Sequence, residues 1–244
     1  MSEFYMTLPS NACLDIFPDN TLSSYLVKLE RPLRLNGKWV VGMVEMHYPN
    51  SWDNVTDGRI IILQGTNSAK VMFVASGRYR TIDELLSAIH EALASFNMES
   101  SIRFTRDKIQ NACSVEIKER DLKIKLSDNL ANILGLENIY HKFGKSRGTR
   151  MCDIAEGFSS LYVYSNIVEP QIVGDVQAKL LRIVGVKEKS RMVNHVESFH
   201  HVQYLPVSDN GTETIEMLIK RDDGRPVLFQ TGKVIVTLHF KKVE

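Results

Sequence analysis

The chain has 244 residues, 43% of them hydrophobic and 24% charged, and 30 Lys and Arg stand against 29 Asp and Glu for a formal charge of +1. That composition supports a large buried core and excludes a global field that would attract nucleic acid or anionic lipid. Three widely spaced cysteines, Cys13, Cys113 and Cys152, fit free thiols in a reducing compartment better than a disulfide framework, and neither a secretory signal nor an apolar run of membrane-spanning length is visible.

Residues 1–20 mix turn-formers (Pro9, Ser10, Asn11, Pro18, Asp19, Asn20) with scattered apolar side chains such as Phe4, Tyr5, Met6 and Leu8, the composition of an extended arm. Residues 21–35 and 39–48 read as two strands, and Asn36-Gly37 between them is a strong hairpin signal. In the second of these, Trp39, Val41, Met43 and His47 are expected on one face and Val40, Val44, Met46 and Tyr48 on the other, so that both faces are covered and the strand sits centrally in a sheet. Residues 59–64 and 70–75 make a further hairpin around Gly65, Thr66, Asn67 and Ser68.

The pattern then changes. Thr81 with Glu84 three residues on forms a capping signal, and Ile82, Leu85, Leu86, Ile89, Leu93 and Phe96 recur at helical spacing, which predicts a helix over 81–96. Strands are expected at 102–104, 112–118 and 122–126, and a short capped helix at 127–134 ended by Gly135. Residues 141–150 are glycine-rich and basic and read as a loop. Strand signals resume at 158–168 and 180–186, and 192–207 is irregular. The end of the chain, 214–241, reads as a hairpin: Ile215, Met217 and Ile219 form one apolar row, Val234, Val236, Leu238 and Phe240 the other, with Asp222-Asp223-Gly224 and Thr231-Gly232 between them. The chain is therefore expected to be all-β, closed as a sandwich or barrel, with one small α/β insertion. The expected boundaries are an arm at 1–20, the β body at 21–58 and 138–244, and the insertion at 59–137.

Motifs for chemistry are sparse. Gly144-Lys145-Ser146 lacks the glycine a phosphate loop needs five residues earlier, where Ile139 stands, so it reads as a solvated basic stretch. His195, Glu197, His200 and His201 do not have zinc-protease or deaminase spacing, and no cysteine follows Cys152. No nucleophile elbow occurs, Asp222 and Asp223 are explained by a turn, and Trp39 and Trp52 read as core and loop anchors. Neither a catalytic residue, a cofactor site nor a metal site is expected.

Four blocks resemble one known family: FYMTLPSNAC, FPDNTLSSYLVKLERPLRLNGKWVVGMVEMHYPNSWDNV, FSSLYVYSNIVEPQIVGDVQAKLLRIVGV and TIEMLIKRDDGRPVLFQTGKVIVTLHF. They cover somewhat under half of the chain, toward its two ends, and are similar to the minor capsid, or penton, proteins of Polinton (Maverick) elements. The resemblance implies a single jelly-roll subunit that forms homopentamers at icosahedral five-fold vertices beside a double jelly-roll major capsid protein. It further implies a virion protein, synthesised in the host cytoplasm and assembled there or in the nucleus, with no enzymatic activity and no cofactor. On that footing the apolar residues Phe4, Tyr5, Met6 and Leu8 become candidates for a subunit interface, and Lys142, Lys145, Arg147 and Arg150 for a weak contact with packaged DNA. Two other function classes share such a fold, a ligand- or glycan-binding module and a metal-dependent enzyme using His195, His200 or His201.

Overall fold

The computed structural model describes residues 2–65, 68–155, 158–186, 194–208 and 212–243. The chain divides into two compact units, Met1–Trp52 with Phe158–Glu244, and Asp53–Gly157. The first unit opens with β1 (Glu3–Pro9), β2 (Ser24–Leu33) and β3 (Lys38–Pro49). The second contains β4 (Arg59–Gln64), β5 (Ser68–Phe73), α1 (Ile82–Ser95), β6 (Ile102–Asp107), β7 (Ala112–Ile117), β8 (Leu122–Leu126), α2 (Asp128–Leu134) and β9 (Gly144–Arg147). The chain then returns to the first unit through β10 (Ser160–Ser165), β11 (Gln171–Val173), β12 (Val176–Ala178), β13 (Leu180–Gly185), β14 (Asn194–Ser198), β15 (Leu205–Pro206), β16 (Thr212–Arg221) and β17 (Ile235–Val243).

In the first unit two antiparallel sheets run β1-β17-β3-β14, with β15 also on β3, and β13-β10-β16-β2. With β15 and the small β11–β12 ribbon set aside, its eight strands numbered along the chain follow the orders 1-8-3-6 and 5-4-7-2, which is a jelly roll. Val234, Val236, Leu238 and Phe240 from one sheet and Leu161, Val163, Ile215, Met217 and Ile219 from the other share one buried core. Polar ties cross it. Tyr25 Oη on β2 donates to Leu8 O on β1 at 3.1 Å, and Tyr48 Oη on β3 donates to Gly185 O at the end of β13 at 3.4 Å.

This order corrects two expected hairpins. β2 pairs with β16 while β3 pairs with β17, and β16 and β17 themselves lie in opposite sheets. The chain does reverse at Asp222-Asp223-Gly224, where Arg221 N donates to Arg225 O at 2.7 Å, but the strand leaving that turn crosses to the other sheet. Residues 3–9 are not an arm without regular structure; they are an edge strand in register with β17 from Glu3↔Lys241 to Pro9↔Ile235. β3 sits centrally, as expected, but its faces differ from the expected split. Trp39, Val41 and Met43 are buried and so are Met46 and Tyr48, because a bulge sets Thr237 against Glu45 and Leu238 against Met43 and thereby reverses the alternation.

The second unit has its own core. The β4–β5 hairpin forms as expected, in register from Arg59↔Phe73 to Gln64↔Ser68, although Thr66 and Asn67 of its turn, like Met192 elsewhere, lie outside the described residues. The sheet β5-β4-β8 and the sheet β6-β7-β9 contribute Ile60, Ile62, Met72, Phe104, Val115 and Ile124 to one cluster with the apolar stripe of α1. Thr81 caps α1 by accepting from Glu84 N at 3.1 Å. Ser127 caps α2, which ends on Gly135 at φ +67°, a left-handed conformation that favours glycine. The unit extends past the expected boundary at 137 because β9 pairs with β7, and because Cys152 N donates to Asn111 O and Asp153 N to Ile133 O, both at 2.8 Å. Its start moves to Asp53, since Asn54 Nδ2 donates to Tyr79 O and Ile154 O at 2.8 and 3.0 Å.

Candidate assembly surfaces

Alternation along β1 separates the four candidate interface residues. Phe4 lies parallel to Phe240, with ring centroids 4.7 Å apart, Met6 is half-buried against the same core, and Leu8 is 1% exposed. Only Tyr5, 66% exposed, projects outward. Its ring lies 4.5 Å from that of His239, its register partner on β17. Tyr204 Oη is 2.6 Å from His239 Nδ1; with the hydroxyl donating, the ring proton sits on Nε2, which faces Glu3 Oε2 at 3.4 Å. Burial, with Tyr5 and Glu3 nearby, holds the Tyr204 phenol above its ordinary pKa. His239 is in register with Gly42 on β3, where a Cβ would lie only 2.6 Å from Gln203 O, so glycine at 42 permits the segment carrying Tyr204 to approach this face. His239 was legible as a residue of the polar face of its strand; Tyr204 and Gly42 were not, because their meeting is tertiary. Among the described residues no strand pairs with the outer edge of β1, leaving a row of backbone donors and acceptors open.

The basic segment is partly a strand. β9 pairs with β7, which places Lys145 opposite Glu116 and Arg147 opposite Ser114. Lys145 and Arg147 line a shallow cavity of about 450 Å³ with Thr105, Arg106, Asp107 and Ser114. Lys142 and Arg150 are outside that set, and Arg150 Nη2 donates to Asn132 Oδ1 at 3.1 Å. Arg106 Nη2 donates to Asn111 Oδ1 at 2.6 Å, and Arg147 Nη2 lies 3.4 Å from Asp107 Oδ2 and also bonds Gln110. Two cations at this surface are paired with carboxylates, Arg147 with Asp107 and Arg106 with Asp83 at 3.5 Å, which weakens its attraction for an anion.

The remaining candidates are dispersed over the fold. His195 on β14 faces the core and stacks on Tyr48 at 5.3 Å, whereas His200 and His201 lie exposed beyond the strand. Among the described residues no three His, Cys, Asp or Glu side chains gather as a metal site. Asp223 accepts from the Arg225 guanidinium, which holds its carboxyl below the usual range, and Asp222 Oδ2 accepts from Ser159 N at 3.1 Å. Trp39 lies in the core, and Trp52 is anchored edge-on between Phe158 and Phe229 at 5.1 and 5.9 Å. All three cysteines are free. The Cys113 thiol is pushed up to about 12 by burial and by Cys152 beside it, so it is not a nucleophile near neutral pH.

No known family model matches the sequence, and no curated protein does. Among solved structures, the crystal structure of the mavirus penton protein is similar over 100% of both chains, with a TM-score of 0.53 at 11% sequence identity. The chain has the fold of the mavirus penton protein. A chain in the cryo-EM structure of the Sputnik virophage is similar over 99% of this chain and 98% of that one, at 10% identity and a TM-score of 0.49.

Proposed function

We propose that this protein is a penton-like minor capsid subunit of a Polinton (Maverick)-type element, a structural virion protein without catalytic activity that forms pentamers at icosahedral five-fold vertices beside a double jelly-roll major capsid protein. The observation that carries this reading is that the likeness to the mavirus penton protein spans both chains entirely, so that it includes the α/β unit between β3 and β10 and not only the common jelly roll. The absence of a recognisable nucleophile or metal constellation in the sequence agrees with it.

A ring of identical subunits needs a head-to-tail contact with two different patches. The outer edge of β1 and the outward Tyr5 offer one, with unpaired backbone groups and an aromatic side chain already positioned by His239. In this reading Phe4, Met6 and Leu8 support the interface from behind by fixing β1 to its own sheet, and Lys145 and Arg147 make at most a weak contact with packaged DNA. Sedimentation of the wild type against Tyr5→Asp tests it. The expected result is a closed pentamer that Tyr5→Asp shifts toward monomer with an unchanged circular dichroism spectrum; a wild type that stays monomeric with and without the major capsid protein overturns it.

A further inference from the structure

The sheet β5-β4-β8 has one face in the core of its unit and one face that carries exposed apolar side chains. On the inner side Ile60, Ile62, Met72, Ile124 and Leu126 join the cluster that α1 completes. On the outer side the register gives three rows: Phe73 beside Arg59; Val71, Ile61 and Lys125; Ala69, Leu63 and Lys123. Phe73 is 64% and Val71 45% exposed, and Ile61 and Leu63 are partly buried. An outward row of a solvated sheet face is normally polar. Here β5 is apolar, β4 is apolar beyond Arg59, which is paired with Asp57, and β8 is cationic.

Charge and dimensions together narrow what could cover this face. Lys123 and Lys125 lie side by side on β8, and the Lys125 ammonium sits 5.8 Å over the ring of Tyr140, which is itself 41% exposed. A second copy of this face would set lysine against lysine if its two-fold axis ran across the strands, or bury Lys123 and Lys125 on the apolar strand β5 if it ran along them, and both disfavour self-pairing. Neither helix of this chain fits either: α1 and α2 both spend their apolar residues in their own core. Three strands span about 10 Å, the diameter of one α-helix. The opposite face of the same unit already shows the arrangement, a helix laying an apolar stripe on a sheet.

We propose that this face docks an amphipathic helix of a different protein, with its apolar stripe on Phe73, Val71, Ile61 and Leu63 and an acidic flank over Lys123 and Lys125. The docking mode is a helix laid on a hydrophobic surface, with the lysines fixing its direction and register. It is independent of the pentamer reading, because all of the residues concerned belong to the unit Asp53–Gly157.

The test uses the full chain and two synthetic helices of about 20 residues with the same leucine stripe, one flanked by glutamate and the other by lysine. Fluorescence anisotropy at physiological salt gives affinities, and amide chemical shifts locate the site. The glutamate helix is expected to bind at least tenfold more tightly than the lysine helix and to move amides of β4, β5 and β8. Phe73→Ser should weaken it at least tenfold, and Lys123→Glu with Lys125→Glu should reverse the preference between the helices while leaving the circular dichroism spectrum unchanged. Equal binding of both helices, shifts confined to other strands, or self-association of the free protein that Phe73→Ser abolishes would each overturn the proposal.

Discussion

Replacing Phe240 by alanine removes a fully buried ring at the middle of the jelly-roll core. The side chain is 0% exposed, lies in the row Val236-Leu238-Phe240, and stacks on Phe4 within 3° of parallel. A buried Phe→Ala change costs about 3–5 kcal/mol in lost transfer energy and cavity formation. The stacked partner puts Phe240 in the upper part of that range, since an aromatic pair adds about 0.5–1.5 kcal/mol beyond burial. Against the roughly 5–15 kcal/mol that holds a domain folded, that is a large share. Lys241, the next residue along and exposed, should cost about 0.5 kcal/mol or less on the same change. Urea unfolding reads both, and because Trp39 and Trp52 belong to the jelly-roll unit, tryptophan fluorescence reports that unit. Adding Phe4→Ala to Phe240→Ala should cost less than the sum of the singles, by about 0.5–3 kcal/mol, because the two rings share one contact. Equal small losses for Phe240→Ala and Lys241→Ala, or strict additivity with Phe4→Ala, would refute the placement of β17 between β1 and β3.

Tyr25→Phe deletes the hydroxyl that bonds Leu8 O across the sandwich and should cost about 0.5–1.5 kcal/mol, the net worth of one hydrogen bond, since Leu8 also pairs with Val236 in the ladder; an unchanged urea midpoint contradicts the tie. Cys113 should make the fold labile to alkali. Its thiol ionises near 9.0 when unfolded and near 12 when folded, so above pH 9 the unfolded chain releases a proton that the folded chain retains, and stability present below that pH declines as pH rises toward 12. The decline should be shallower in Cys113→Ala, and parallel curves would remove Cys113 as its cause. Binding of duplex DNA, if Lys145 and Arg147 supply it, should show a log K against log salt slope of about −2 and vanish in Lys145→Glu/Arg147→Glu; no binding at low salt removes the contact.

What the sequence makes legible follows from the range of the forces involved. The helix at 81–96 was readable because its cap and stripe are local. So were the buried rows of β16 and β17, because period-two alternation records which face is buried. Alternation does not record which strand is the neighbour. Asn36-Gly37 and Asp222-Asp223-Gly224 bend the chain as their chemistry requires, yet in a jelly roll the strands on either side of such bends belong to opposite sheets. β1 escaped notice because its alternation is only seven residues long and precedes a dense run of turn-formers. β9 has no apolar row at all, only Lys145 and Arg147 alternating with Gly144 and Ser146. The bulge at β3 left a signal that went unused: Glu45 follows Val41 and Met43 at period two, and a carboxylate in that row marks the change of phase around Val44. Which of Phe4, Tyr5, Met6 and Leu8 points outward was not legible, and the contact of Tyr5 with His239 and Tyr204 depends on a close approach over Gly42 that only the fold creates.

The most direct measurement of the central claim is an icosahedral cryo-EM reconstruction of particles formed when this chain is co-expressed with the double jelly-roll major capsid protein of a Polinton-type element. The account predicts five copies of the jelly roll around each five-fold axis, with the β1 edge and Tyr5 at the contact between neighbours. Particles whose vertices are built from another protein, with this chain absent or placed away from the five-fold axes, would contradict it.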